Sequence, residues 1–232
     1  MTVTATVEAC ESALLRSGLY GVTARLLAEP ALLLDPEPYE ELRNAAAGHA
    51  AFRGLLPAIE ETAKAAKAPN LSVRALEQEH TFLFRRAQAA PYEGSYLPAT
   101  RASLEMADIA GFLRAFGMTV RSERPDHVVS ELEFMALLCL KESLARGNGK
   151  ETEAAICRDA QEKFLRDHLG RWPEAFHRSV ARAAHLPVFP ALAFLARRLV
   201  EIDAGVLGVS PEPIVEGSKD EPEAIPQCGV GG

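Results

Sequence analysis

The chain has 232 residues, 25 basic against 32 acidic side chains, a formal charge of −7 and 48% hydrophobic residues. This length suits one domain with a substantial core, and the apolar and charged fractions are those of a globular protein. An acidic balance without a basic run argues against a nucleic-acid footprint and is compatible with a basic peptide partner.

The first apolar segment is interrupted by Glu8, Glu11 and Arg16 and lacks a basic n-region, so it does not read as a signal peptide. No stretch approaches the ~20 apolar residues that span a bilayer. The expectation is a cytoplasmic protein without stable membrane insertion. Cys10, Cys139, Cys157 and Cys228 form no C-x-x-C, which points to reduced structural thiols and neither a zinc site nor a disulfide framework.

Helical periodicity recurs along the chain while strand and hairpin signals are scarce. Residues Ala5 to Ala28 carry a helical apolar pattern closed by Glu29-Pro30, with Gly18 and Gly21 as potential bends. Glu37 to Lys67 reads as one or two alanine-rich helices interrupted near Gly48 or Gly54. Asn70-Leu71-Ser72 opens a helix through about Ala87. The connection Ala89 to Thr100 holds two prolines, a glycine and two tyrosines, and cannot be helical throughout. Leu104 to Phe116 define an amphipathic helix ended by Gly117.

Pro125-Asp126 reads as a helix entrance, with Asp126 as N-cap. Behind it runs a deeply apolar helix to the Gly147-Asn148-Gly149 break. His127 and Glu131 share one face near its entrance, and Glu133 lies on another. Lys150 to Leu169 and Pro173 to Ala184 suggest two more helices, and Pro187 and Pro190 introduce a last one. Beyond Gly205 the prolines, acids and glycines read as a mobile tail that folding does not need. The expected division is a helical domain at 1–204 and a tail at 205–232, in which Cys228 is an exposed thiol.

Four segments, in order, carry a family resemblance. Glu79-His80-Thr81-Phe82-Leu83-Phe84 is similar to E-Y-x-x-L-F, with His80 in place of the aromatic. Ala90-Pro91-Tyr92-Glu93-Gly94-Ser95-Tyr96 resembles P-P-Y-E-S-x-Y. Pro125-Asp126-His127 is followed by Glu131-Leu132-Glu133-Phe134-Met135, and Phe164-Leu165, His168-Leu169 and Trp172 resemble F-L-x-x-H-L-x-x-W. The set resembles the TorD/DmsD/NarJ family of cytoplasmic chaperones that mature molybdenum-containing redox enzymes. The resemblance implies an all-α, single-domain irregular bundle, a monomer or weak dimer without a cofactor. Its implied partner is the immature molybdoenzyme catalytic subunit, met through a twin-arginine leader or the apoprotein before cofactor insertion and export.

The candidate client-binding residues are Asp126, His127, Glu131, Tyr92, Glu93, Tyr96 and Glu79. Carboxylates beside an apolar groove suit arginine, which binds them bidentately, and tyrosines on a loop can pack a ring while donating a hydroxyl. Each has a structural alternative: Asp126 as a cap alone, and the tyrosine loop as mere packing. The competing enzyme reading is a small helical metal-dependent catalyst using His127 and Glu131. Two ligands do not define a metal site, however, and no H-E-x-x-H, G-x-S-x-G, P-loop or G-x-G-x-x-G accompanies them. His49, His80, His168, His177 and His185 are too dispersed to specify a metal set. A structural assembly subunit is a further alternative.

Overall fold

Two long apolar helices pack along each other at the centre of the protein: α1 (Val3–Ala28) and α6 (Val128–Gly147). The computed structural model describes residues 3–69, 71–120 and 123–214, and these form an all-α single domain. Helix α6 buries Leu132, Phe134, Met135, Leu138 and Cys139, as a helix apolar on most sides must. Helix α1 is continuous through Gly18 and Gly21, because burial of Leu19, Tyr20 and Val22 around them outweighs their poor helix propensity.

The next segment splits at both expected breaks, into α2 (Glu37–Gly48), a 3-10 stretch Ala50–Leu55 and α3 (Leu56–Ala65). Helix α4 (Val73–His80) is capped by Ser72, whose hydroxyl accepts from the Ala75 N–H. It is shorter than the expected span to Ala87. Thr81–Arg85 widen into a π turn closed by Arg86 N–H to Thr81 O, and Ala87 takes φ 54°. After the 90–97 loop comes α5 (Ala99–Ala115), ended at Gly117 with φ 79°.

Helix α7 (Glu151–Phe164) packs on α6 and opens into a second π turn, Leu165–Leu169, closed by Gly170 N–H to Leu165 O. Both π turns thus fall on Phe/Leu-containing motif segments, and π bulges are frequent at functional sites. Helices α8 (Pro173–Ala183) and α9 (Val188–Leu207) complete the bundle, with α9 touching α1, α3 and α8.

A buried polar network ties the central helices. Arg16 of α1 donates through Nε and Nη2 to Asp203 of α9 at 2.6 and 2.8 Å, and the Tyr20 hydroxyl donates to the same carboxylate at 2.8 Å. Glu142 of α6 lies 3.7 Å from Arg16 and accepts from Gln161 of α7 at 2.8 Å. Beside it, burial pushes the Cys139 thiol up to about 12, so this cysteine is an unreactive packing residue. Cys10 and Cys157 are free thiols as well.

The domain does not stop at Gly205. Helix α9 runs through it to Leu207 and ends at Gly208 in the left-handed conformation. Pro211 then lies so close to Gly170 that an added Cβ would stand 2.4 Å from its ring, the Ile214 N–H donates to Arg171 O at 2.8 Å, and Ile214 is buried. A hydrogen bond and a buried side chain outweigh the local Pro and Gly content that reads as tail. Cys228 and the remainder of the expected tail lie outside the described residues.

Candidate functional site

The loop between α4 and α5 is stitched to the entrance of α6. Tyr92 and His127 form an antiparallel bridge, with Glu93 N–H to Asp126 O at 2.9 Å and Val128 N–H to Pro91 O at 2.8 Å. The bridge brings the second and third motif segments into one backbone unit.

Asp126 is not the N-cap of α6. That position belongs to His127, whose Nδ1 accepts from the Val129 N–H at 3.1 Å. Asp126 sits one residue too early and serves the loop instead. Its Oδ2 accepts from the Gly94 N–H at 3.1 Å, and Arg124 holds both of its oxygens at 2.9 and 2.6 Å. A Cβ on Gly94 would meet Asp126 Oδ2 at 3.0 Å and the Ala102 Cβ at 3.2 Å, so a side chain there would push the loop off its anchor.

The candidate residues divide by burial. Glu93, Glu131, Asp126 and Glu79 are all buried. Glu131 accepts from Trp172 Nε1 at 3.1 Å; burial, reinforced by the neighbouring Glu93 charge, pushes its carboxyl well above the ordinary range. Glu79 turns to the α8–α9 connection, accepting from the backbone N–H groups of His185 and Leu186, the latter at 3.2 Å. Tyr96 donates to Ala90 O at 2.9 Å and lays its ring 5.6 Å from that of Trp172. Asp126 and Tyr96 fasten the loop, Glu131 fixes Trp172 behind it and Glu79 fixes the α8–α9 connection, so these carboxylates do not form the exposed acidic surface expected of them.

Tyr92 and His127 do reach a surface pocket. It has a volume of about 390 Å³ and is bounded by His80, Phe84, Pro91, Tyr92, Met118, Val120, Glu123, His127, Val129 and Glu133. Three of the four motif segments meet there. The rings of Tyr92 and His127 pack edge to face at 5.2 Å, the Arg124 guanidinium lies 4.5 Å over the Tyr92 ring, and the tyrosine hydroxyl donates to Glu123 at 3.0 Å.

His80 pairs through Nε2 with Leu27 O at 3.0 Å, so that nitrogen carries the proton. Burial lowers the affinity of both His80 and His127 for a further proton; at His127 it outweighs the Glu123 and Asp126 carboxylates. The pocket therefore pairs neutral imidazoles and apolar side chains with the exposed acids Glu123 and Glu133 and the exposed cation Arg85. Sequence reasoning misses Glu123 because it stands in a polar linker without periodicity, and Glu133 because it lies off the His127/Glu131 face. His127 spends Nδ1 on its cap and Glu131 one oxygen on Trp172, so each gives part of its ligand capacity to the fold.

Comparison with known proteins bears on what this architecture belongs to. The nitrate reductase delta subunit family matches residues 44–178. The chain is 32% identical over 60% of its length, and 74% of the other, to a selenate reductase assembly chaperone protein from Thauera selenatis. It is 28% identical to a perchlorate reductase assembly chaperone protein from Dechloromonas aromatica, covering 85% and 92% of the two chains. A chlorate reductase assembly chaperone protein from Ideonella dechloratans is 29% identical over 62% and 76%. No solved structure matches significantly. No helix among the described residues is long and apolar enough to cross a membrane. The match spans the three motifs that build the pocket and the α7 motif behind them, and the chain belongs to the nitrate reductase delta subunit family of redox-enzyme maturation chaperones, which are not themselves enzymes.

Proposed function

We propose that the protein binds the immature catalytic subunit of a molybdenum-containing oxidoreductase through the Tyr92/His127 pocket, keeping it receptive to cofactor insertion before assembly or export. The observation that carries this reading is the convergence of three motif segments on one open, partly apolar pocket with acids at its edge. An apolar side chain of the client enters beside Phe84, Met118 and Val129, while Glu123 and Glu133 take a neighbouring arginine, as in a twin-arginine leader. Asp126, Glu93, Glu131 and Tyr96 act behind the surface by holding the loop and the tryptophan beneath it, and Glu79 by fixing the α8–α9 connection. The names of the similar chaperones support a reductase client; the leader as the contacting segment rests on the charge and shape of the pocket.

The test is titration of the client's N-terminal peptide into the protein. Tyr92→Ala and the double variant Glu123→Gln/Glu133→Gln should each weaken binding by about tenfold or more, and the acidic part should weaken with salt. Equal affinity for native and arginine-free peptides would overturn the acidic reading. Recovery of the protein in the mature purified reductase would favour a structural subunit over a chaperone.

A further inference from the structure

Behind the pocket loop, three elements converge on one buried point. Glu93 comes from the loop, Glu105 from α5 and His168 from the π turn after α7, and one ligand atom from each lies within 4.8 Å of the others. His168 and Glu93 are both 0% exposed. Neither oxygen of Glu93, nor Nδ1 of His168, has a hydrogen-bond partner, although an orphaned buried carboxylate is costly. The Nδ1 atom stands 3.4 Å from Glu93 Oε2 and 3.7 Å from Glu105 Oε2. These separations are long for N–H···O bonds but close to the ~3.4 Å edge of a tetrahedron whose centre lies about 2.1 Å from N and O ligands.

The surrounding contacts leave these three atoms free for one ion. Arg171 approaches the other oxygens, Oε1 of Glu105 at 3.3 Å and Oε1 of Glu93 at 3.9 Å, and Arg101 also donates to Glu105 Oε1 at 3.1 Å. His168 directs Nε2 to Asp108 Oδ2 at 3.0 Å. A proton on Nε2 donated to a carboxylate leaves the Nδ1 lone pair aimed inward, the arrangement by which a carboxylate orients a metal-bound histidine.

We propose that Glu93 Oε2, Glu105 Oε2 and His168 Nδ1 bind a divalent first-row cation of the Zn²⁺ class, with a fourth position open to water. One imidazole and two carboxylates suit such an ion. Its role is structural: it clamps the loop that presents Tyr92 to α5 and to the end of α7.

The test uses the full-length protein, stripped with chelator and then titrated with Zn²⁺, with Co²⁺ as a spectroscopic substitute. One equivalent should remain bound after gel filtration, Zn²⁺ should raise the melting temperature, and Co²⁺ should give absorption bands of a nitrogen and oxygen ligand set. Glu93→Gln and Glu105→Gln should abolish retention, and Asp108→Asn should weaken it about 10- to 100-fold. Glu105 is partly exposed, so its variant remains informative if Glu93→Gln does not fold. Failure to retain Zn²⁺, or retention unchanged in folded Glu105→Gln, would overturn the proposal. So would nitrogen NMR showing both His168 ring nitrogens protonated and insensitive to added Zn²⁺, since His168 would then be an imidazolium among carboxylates.

Discussion

Trp172 donates its indole N–H to Glu131 at 3.1 Å, and both residues are fully buried. This bond joins the motif that opens α6 to the one that closes α7, and it explains a carboxylate inside an otherwise apolar helix: a buried indole N–H needs an acceptor. Tyr96 lays its ring against the same tryptophan, so the pocket loop is coupled to the core through Trp172.

Glu131→Gln should preserve the fold and stabilise it at alkaline pH. The folded carboxyl is raised above its ordinary value of 4.5, so above that value the native state holds the extra proton and stability falls as pH rises through the folded pKa. Glutamine retains an acceptor for Trp172 and cannot ionise. Urea unfolding at about pH 5 and about pH 8 should show the variant gaining on wild type at the higher pH. Glu131→Leu, in contrast, should lose about 1–3 kcal/mol by orphaning the indole N–H.

Asp203→Ala should be among the most destabilising single changes, at about 3–5 kcal/mol, because it strands the buried Arg16 guanidinium and removes the Tyr20 acceptor together. Chemical denaturation measures the loss. Wild-type stability in this variant would mean that Arg16 finds another carboxylate, Glu142 being the neighbour placed to take it.

His127→Ala and Asp126→Ala should separate cap from anchor. Loss of the His127 cap should cost about 1 kcal/mol. The Asp126 change frees the Gly94 N–H and Arg124, whose side chain is 44% exposed; its ion pair is therefore screened, and the main effect is a loosened loop. Hydrogen exchange at residues 92–97 should accelerate in Asp126→Ala and stay near wild type in His127→Ala.

Acidification should weaken the pocket before the core. His127 can gain a proton only at Nδ1, which destroys its cap, and positive charge at a helix N-terminus is disfavoured. Its folded pKa and that of His80 lie below the ordinary 6.5. Their stabilisation is thus complete above that value and is lost as pH falls through the folded values. His80→Asn/His127→Asn should flatten the stability-versus-pH curve just below 6.5.

Truncation should reveal how much the packed C-terminal segment contributes to the fold. A chain ending before Pro211 should melt lower than one ending after Ile214, because Pro211 against Gly170 and Ile214 against Arg171 are lost. Equal melting of both truncations would show the Pro211–Ile214 contacts to be energetically silent.

The helical class, the breaks at Gly48, Gly117 and Gly147, and the family itself were legible in the sequence, since periodicity, glycine termination and ordered motifs are local properties of the chain. Tyr92 and His127 stand out by the same motifs, and both line the pocket. Only the tertiary structure decided which way the carboxylates face. Asp126 turned from cap to loop anchor because the helix begins two residues later, and Glu131, Glu93 and Glu79 turned inward to partners 41 to 106 residues away or onto one another. Likewise Arg16 and Asp203, separated by 187 residues, carry no local sign of their pairing. Periodicity records which face of a helix is apolar; the partner of a buried charge is set by the packing of distant helices, where an unpaired charge costs too much to persist.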